Sequence, residues 1–195
     1  ELGISSDNGY ATLEALRQAL IDFRTSGKFV YAYGEMVSQK SYYLATAADK
    51  IFLNPNGLIE LKGFGREITY YKDMLDKLGI TVQDFHCGAF KSAIEPYVRN
   101  NMGDPNRQQL THIYSDVYKS FLNNIAKDRK IDTAQLNDII NNIAAETPDK
   151  DKELKLIDEA YYYDQVMDKM KEKTGADKKK DVEFIEASKY ASTIK

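Results

Sequence analysis

Apolar residues in the first half of this chain switch repeatedly between a helical period and short continuous runs, and that alternation most restricts the folds open to it. Leu13, Leu16, Leu20 and Phe23 recur at steps of three and four, which predicts a helix over roughly 10–25 ending at Thr25-Ser26-Gly27. Lys28–Tyr33, rich in β-branched and aromatic residues and closed by Gly34, reads as a buried strand. Ser41–Ala48 is rich in small residues and free of Gly and Pro, the mark of a short buried helix; Lys50–Asn54 then reads as a strand stopped by Pro55. Gly57–Gly65 is a loop or strand. Tyr70, Tyr71, Met74, Leu75 and Leu78 give another helical face ended by Gly79, and Ile80–Phe85 resumes as a strand. Such alternation predicts an α/β fold, a mainly parallel sheet flanked by helices.

After Gly88 the pattern becomes helical. Leu110, Ile113, Tyr114, Val117, Tyr118, Phe121, Leu122 and Ile125 trace one wide apolar stripe, the strongest helix in the chain. A second helix starts at Asp132, which can cap it while Gln135 returns the bond, and presents Leu136, Ile139, Ile140 and Ile143. A third, near 159–173, carries Tyr162, Val166 and Met170. Lys178–Asp181 reads as a hydrophilic turn and Val182–Ile185 as a last strand before a polar tail. The expected organisation is an α/β core over 1–104, a helical arm over 105–173, and a terminal strand and tail over 174–195. Glu1–Gly9 reads as the loop after a strand and no initiator Met precedes it, so a piece of a longer protein is expected.

Composition removes several function classes. With 27 Lys+Arg against 30 Asp+Glu and a net charge of -3, no global positive field exists to gather phosphate, and nucleic acid is not an expected partner. Cys87 is the single cysteine and His86 and His112 are the only histidines, so neither an intramolecular disulfide nor a Cys/His zinc site can be assembled. No apolar run approaches the ~18 residues of a membrane span, and no signal peptide opens the sequence, so the chain as given is expected to be soluble. The Gly-x-Ser-x-Gly elbow, the phosphate loop and the dinucleotide glycine fingerprint are all missing, and no cofactor is expected.

A few residues remain as candidates for chemistry. Gly63-Phe64-Gly65 is explained by a turn or bulge. His86 and Cys87 are neighbours that a strand would send to opposite faces, which favours a strand end packed into the core. His112 lies off the apolar ridge of its helix and reads as a surface histidine. Lys91 differs from the other lysines because Gly88-Ala-Phe-Lys-Ser-Ala-Ile-Glu-Pro-Tyr97 surrounds it with small or apolar groups just beyond a predicted strand. A lysine desolvated there would have a lowered pKa and could act as a general base toward a hydroxyl. The plainer reading is a solvated lysine at a helix start.

Several segments together resemble the signal peptide peptidase A (protease IV) family of serine peptidases, which use a Ser/Lys dyad. They are Gly27–Gly34, Ser38–Pro55, Tyr70–Gly79, Leu156–Glu159 and above all Gly88–Tyr97. The resemblance implies the Clp protease/crotonase-like fold and no cofactor. It also implies the amino-terminal half of a fused two-repeat protein held at the cell inner membrane and facing the periplasm. In the family, a Ser-Gly-Gly-Tyr motif holds the nucleophilic serine at the start of a buried helix, its neighbouring amides set to stabilise the oxyanion. The aligned residues here are Gln39-Lys40-Ser41-Tyr42. Gln39 stands in the nucleophile's place and cannot attack a carbonyl, while Ser38 and Ser41 are displaced from it by one or two positions. The family's downstream Thr-Gly-Ser segment is also altered, reading Glu60-Leu-Lys-Gly63.

Lys91 aligns with the family's general base, which the amino-terminal half supplies to a serine carried by the other half. The resemblance therefore implies a partner in the carboxy-terminal half, a homo-oligomer (a tetramer of full-length chains), peptide substrates such as cleaved signal peptides, and inactivity of this piece alone. The base must be neutral, which calls for packing by groups such as Phe90, Ala93 or Ile94 and for a Glu95 carboxylate turned elsewhere. Two other readings stay open: a non-catalytic scaffold whose helices build an oligomer, and a crotonase-like acyl-CoA enzyme, for which no oxyanion pair or CoA groove is identified.

Overall fold

The computed structural model describes residues 8–176 and 182–193. In chain order the elements are α1 (Tyr10–Thr25), β1 (Tyr31–Val37), α2 (Gln39–Ala45), β2 (Lys50–Ile59), α3 (Lys72–Lys77) and α4 (Glu95–Val98). The rest are α5 (Asp104–Arg129), α6 (Thr133–Asn141), α7 (Pro148–Glu153), β3 (Glu159–Ala160), α8 (Tyr163–Thr174) and α9 (Ala187–Ala191). They form two compact units, one made of the described residues within 1–61 and 145–195 and the other of residues 62–144. The helices of the expected arm divide between them: α5 and α6 belong to the second unit, α7 and α8 to the first.

The first unit is built on a three-stranded sheet in the order β1-β2-β3, every pairing parallel. This is the expected α/β architecture. Ala32, Tyr33 and Gly34 are buried in succession, so both faces of β1 are covered, as parallel strands require. Two aspartates pin the start of β2. Asp49 accepts from Val30 N and Arg24 Nε, both at 2.8 Å; burial opposes its ionisation, but these bonds and the Arg24 charge together hold its carboxyl below the usual range. Asp158 accepts from Ile51 N at 2.9 Å and from Lys50 Nζ at 2.8 Å.

Pro55 does not stop the strand. β2 runs on to Ile59, because the register jumps from Gly34↔Leu53 to Met36↔Leu58, leaving residues 54–57 outside the ladder where a missing N–H costs nothing. Asn56 N donates to Asn54 Oδ1 at 2.9 Å across this bulge, and Gly57 closes it: a Cβ there would sit 2.5 Å from Glu35 O. β1 likewise spans Tyr31–Val37 rather than 28–33, with Gly34 inside it. The two-residue β3 and the later start of α8 replace the expected helix from 159.

Helix α1 spans the predicted residues, but its buried face runs through Leu13 and Arg17 rather than Leu16, which is exposed. Leu20 and Phe23 instead border an apolar groove of about 530 Å³ with Phe29, Tyr31, Met167 and Met170. Val182–Ile185, read as a strand, carries none among the described residues and leads into α9; Lys178–Asp181 and the loop of Glu1–Gly9 up to Asp7 lie outside the described residues.

The second unit is helical. Asp132 caps α6, accepting from Ala134 N at 2.9 Å and Gln135 N at 3.3 Å, and Leu136, Ile139 and Ile140 are buried with Phe121 and Ile125 of α5. Tyr118 donates to Asn137 at 2.9 Å, and Phe64 meets the edges of Tyr118 and Phe121. Gly63-Phe64-Gly65 thus lies in an irregular segment, with Gly63 at φ +79, that packs Phe64 on the helices and forms no hydrogen-bonded turn. Ile80–Phe85 forms no strand. A strand needs a neighbour for its backbone groups, and this stretch has none among the described residues; Ile80 and Phe85 are exposed. No helix of the described residues is long and apolar enough to cross a membrane.

Candidate active site

The sequence points to two places, one in each unit. The first is the start of α2, directly after the carboxyl end of β1, where open α/β sheets carry their sites. Met36, Val37 and Ser38 border a small pocket of about 70 Å³ with Leu58 and Glu60 from the far end of β2. Ser38 is the N-cap of α2: its Oγ accepts from Ser41 N at 3.2 Å and donates to Ser41 Oγ at 3.0 Å. Gln39 donates through Nε2 to Tyr10 Oη at 3.2 Å, and burial pushes the Tyr10 phenol up against the opposing pull of that bond. The amide is therefore engaged as a hydrogen-bonding group and offers no nucleophile.

Behind this turn α2 is fixed from both sides. Tyr42 is fully buried and donates to Leu156 O at 2.7 Å, tying the helix to the segment before β3. Arg17, only 2% exposed, donates to Thr46 Oγ1 at 2.6 Å and to Tyr43 O, with its guanidinium 4.4 Å from the Tyr43 ring centroid. Tyr43 in turn donates to Glu14. Neither Tyr10 nor Arg17 is singled out by the sequence pattern. Arg17 sits one helical turn beyond Leu13 on the α1 face, and that spacing was the available signal.

The second place is the loop that carries Lys91 ahead of α4. Gly88 turns the chain at φ +102, a conformation that a side chain would strain, and Lys91 N donates to Gly88 O at 3.2 Å. The Lys91 side chain is exposed and makes no hydrogen bond or ion pair with any described residue. It lines an open groove of about 420 Å³ with Phe85, His86, Phe90, Ser92 and Ile94. Phe85 is 90% exposed and Phe90 53%, so within this unit the aromatic wall is half built.

Glu95 is turned away from the amine and committed elsewhere. Its carboxylate accepts from Gly103 N at 3.2 Å and Asn106 Nδ2 at 2.9 Å, bracing the start of α5. On the other side, Tyr71 N donates to Pro96 O at 2.7 Å, Tyr71 stacks on Tyr97, and Asn100 donates to Asp73 at 2.8 Å, so α3 and α4 are tied together below the loop.

His86 and Cys87 are exposed rather than packed at a strand end, a direct result of the missing strand. His86 Nδ1 lies 2.6 Å from Asp84 Oδ1. Period-two reasoning, applied to this stretch, would already have put Asp84 and His86 on one side. His112 is on the surface, as expected. No group of three or more potential metal ligands occurs among the described residues.

Comparison with known proteins gives these places a context. A family model described as peptidase family S49 matches residues 8–177. The chain is 38% identical over 125 residues to "Protease 4" of Salmonella typhi, covering 64% of this chain and 20% of that protein. It is 35% identical over 119 residues to "Protease 4" of Haemophilus influenzae, covering 61% and 19%. The "Serine protease SPPA, chloroplastic" of Arabidopsis thaliana matches 96% of the chain at 27% identity, 28% of the plant protein's length. The matched segments thus span 19–28% of the length of these relatives.

Proposed function

The chain belongs to peptidase family S49, and from that premise we propose that it is the amino-terminal half of a signal peptide peptidase of the protease IV type, supplying Lys91 as general base to a serine carried by the carboxy-terminal half. The observation that carries the reading is the contrast between its two places. The start of α2, where a nucleophile would stand, presents a Gln39 amide bound to Tyr10; Lys91 is held on a glycine turn in an open groove with no carboxylate bonded to it.

In the proposed reaction the neutral Lys91 amine takes the proton from the serine Oγ as that oxygen attacks the scissile carbonyl. The resulting ammonium gives the proton to the departing amine, leaving an acyl-enzyme. Water then enters and attacks the ester carbonyl while Lys91 accepts its proton, and the ammonium passes that proton to the departing serine Oγ, so that the acid product leaves with the serine hydroxyl and the neutral amine restored. Lys91 is exposed in this unit, so the dry wall that would make it basic must be completed by the serine-bearing half or by another subunit of the homo-oligomer, here proposed as a tetramer. Phe85 and Phe90 are the faces available to such a cover. Extended apolar peptides, cleaved signal peptides among them, are the proposed substrates, degraded at the inner membrane on its periplasmic side.

The competing reading, a scaffold in which Lys91 is incidental, draws on the same exposed aromatics. Lys91→Ala in the full-length protein separates the two. Peptide hydrolysis should fall by about a thousandfold or more on a fluorogenic extended peptide; unchanged turnover would establish the scaffold. The isolated chain should cleave nothing above background.

A further inference from the structure

A lysine serves as a base only while no carboxylate pairs with it, because an ion pair stabilises the ammonium form. The charges around Lys91 are disposed accordingly. Of the described residues lining its groove, the ionisable ones are Asp84, His86 and Lys91 itself. The Asp84 carboxylate shares this groove with the amine and would be its natural partner, yet it is bound to His86 Nδ1 at 2.6 Å. Glu95 on α4 is bound to Gly103 N and Asn106. On α3, which packs against α4, Asp73 accepts from Asn100 and Asp76 pairs with Lys72. The remaining charges on those two helices and their caps, Lys77 and Arg99, are cationic and offer the amine no counterion.

We propose that His86 is a positioning residue for Lys91: by holding Asp84 it keeps that carboxylate from pairing with the amine. The contact is local, two residues along the chain, so it forms without closing a long loop and can exist before the site is assembled. It works with neutral imidazole donating through Nδ1 as well as with imidazolium, so the hold persists through neutral pH. The inference rests on the reading of Lys91 as the base.

The test is the pH dependence of kcat/KM in the full-length protein, in which activity rises with pH as the lysine deprotonates. His86→Ala frees Asp84 and should move that rising limb up by about one pH unit, a loss of about tenfold on the limb. His86→Asn, whose amide can donate from the Nδ1 position, should hold the limb near that of the parent. Asp84→Asn combined with His86→Ala should bring it back down, since the released side chain no longer carries charge. A purely structural role for His86 would lower activity without moving the limb. If His86→Ala leaves the limb in place while Lys91→Ala abolishes turnover, the positioning role is wrong and the base assignment stands. If Lys91→Ala retains turnover, the base assignment itself fails. A double variant whose limb stays displaced would also overturn the role given to Asp84.

Discussion

The start of α2 and the loop before α4 both carry residues proposed above to bear on chemistry, yet they are opposite kinds of structure. At α2 the polar groups are buried or half-buried and engaged in hydrogen bonds: Ser38 caps, Tyr42 reaches Leu156 O, and Arg17 serves Tyr43 O and Thr46. In the loop the polar groups are exposed and Lys91 is left unpaired. A matched buried site has no reactive group to spare, whereas an exposed lysine has reactivity but not the dry surroundings that would tune it. The proposed function assigns these two regions different tasks, rigidity to the α2 region and, to the loop, a group to be completed by another surface.

The comparison is broken most strongly by Asp151 on α7. It is fully buried (0% exposed), and neither carboxylate oxygen has a hydrogen-bond partner among the described residues. Burial pushes its carboxyl up to about 7, against the weaker pull of Lys150. The folded chain therefore keeps a proton that the unfolded chain releases near pH 4, and stability falls as pH rises from about 4 to 7, then levels off. Asp151→Asn should remove that loss, making the chain more stable by up to about 4 kcal/mol at pH 8 and by little near pH 4. Urea denaturation at both values measures this; equal differences at the two pH values would show that Asp151 is matched after all.

Arg17→Ala should give the next largest effect, in the other direction. The substitution strips the donor from Tyr43 O and Thr46 Oγ1, removes the contact over the Tyr43 ring and leaves a void between α1 and α2. A cost of about 3 kcal/mol is expected from a buried charge group with several partners. A loss under about 1 kcal/mol in urea denaturation would mean that α2 is fixed by apolar packing alone.

Which parts were legible in the sequence follows from how local their causes are. α1 and the Asp132 cap depend on residues within a turn or two of each other, and both lie where periodicity and capping place them. Pro55 misled because a bulge is defined by the neighbouring strand: only the approach of Glu35 O to Gly57 shows why the chain there leaves the ladder. Ile80–Phe85 has strand composition, but composition does not supply a partner strand. The two-residue β3 is too short to show a period. At the candidate site, Lys91 and the altered Gln39 position were legible through resemblance. The Tyr10 bond to Gln39 and the buried Asp151 were not, since both depend on segments far apart in the chain or on the depth of burial.

The smallest expected effect is the one that sharpens the comparison. Lys91→Ala removes a solvated side chain that bonds to no described residue, so the chain's stability should change by less than about 0.5 kcal/mol. Set beside the loss of about 3 kcal/mol for Arg17→Ala, that near-zero value would separate a residue kept for folding from one that folding does not use. The measurement belongs on this chain alone, where no second surface covers the groove. Repeated in the full-length protein, the same substitution should become stabilising, because a cover that dries the amine must also bear the cost of its desolvation, and Ala relieves it. A stability change that stays near zero in both settings would mean that the Lys91 groove remains wet after assembly, and the amine could not then be the neutral base.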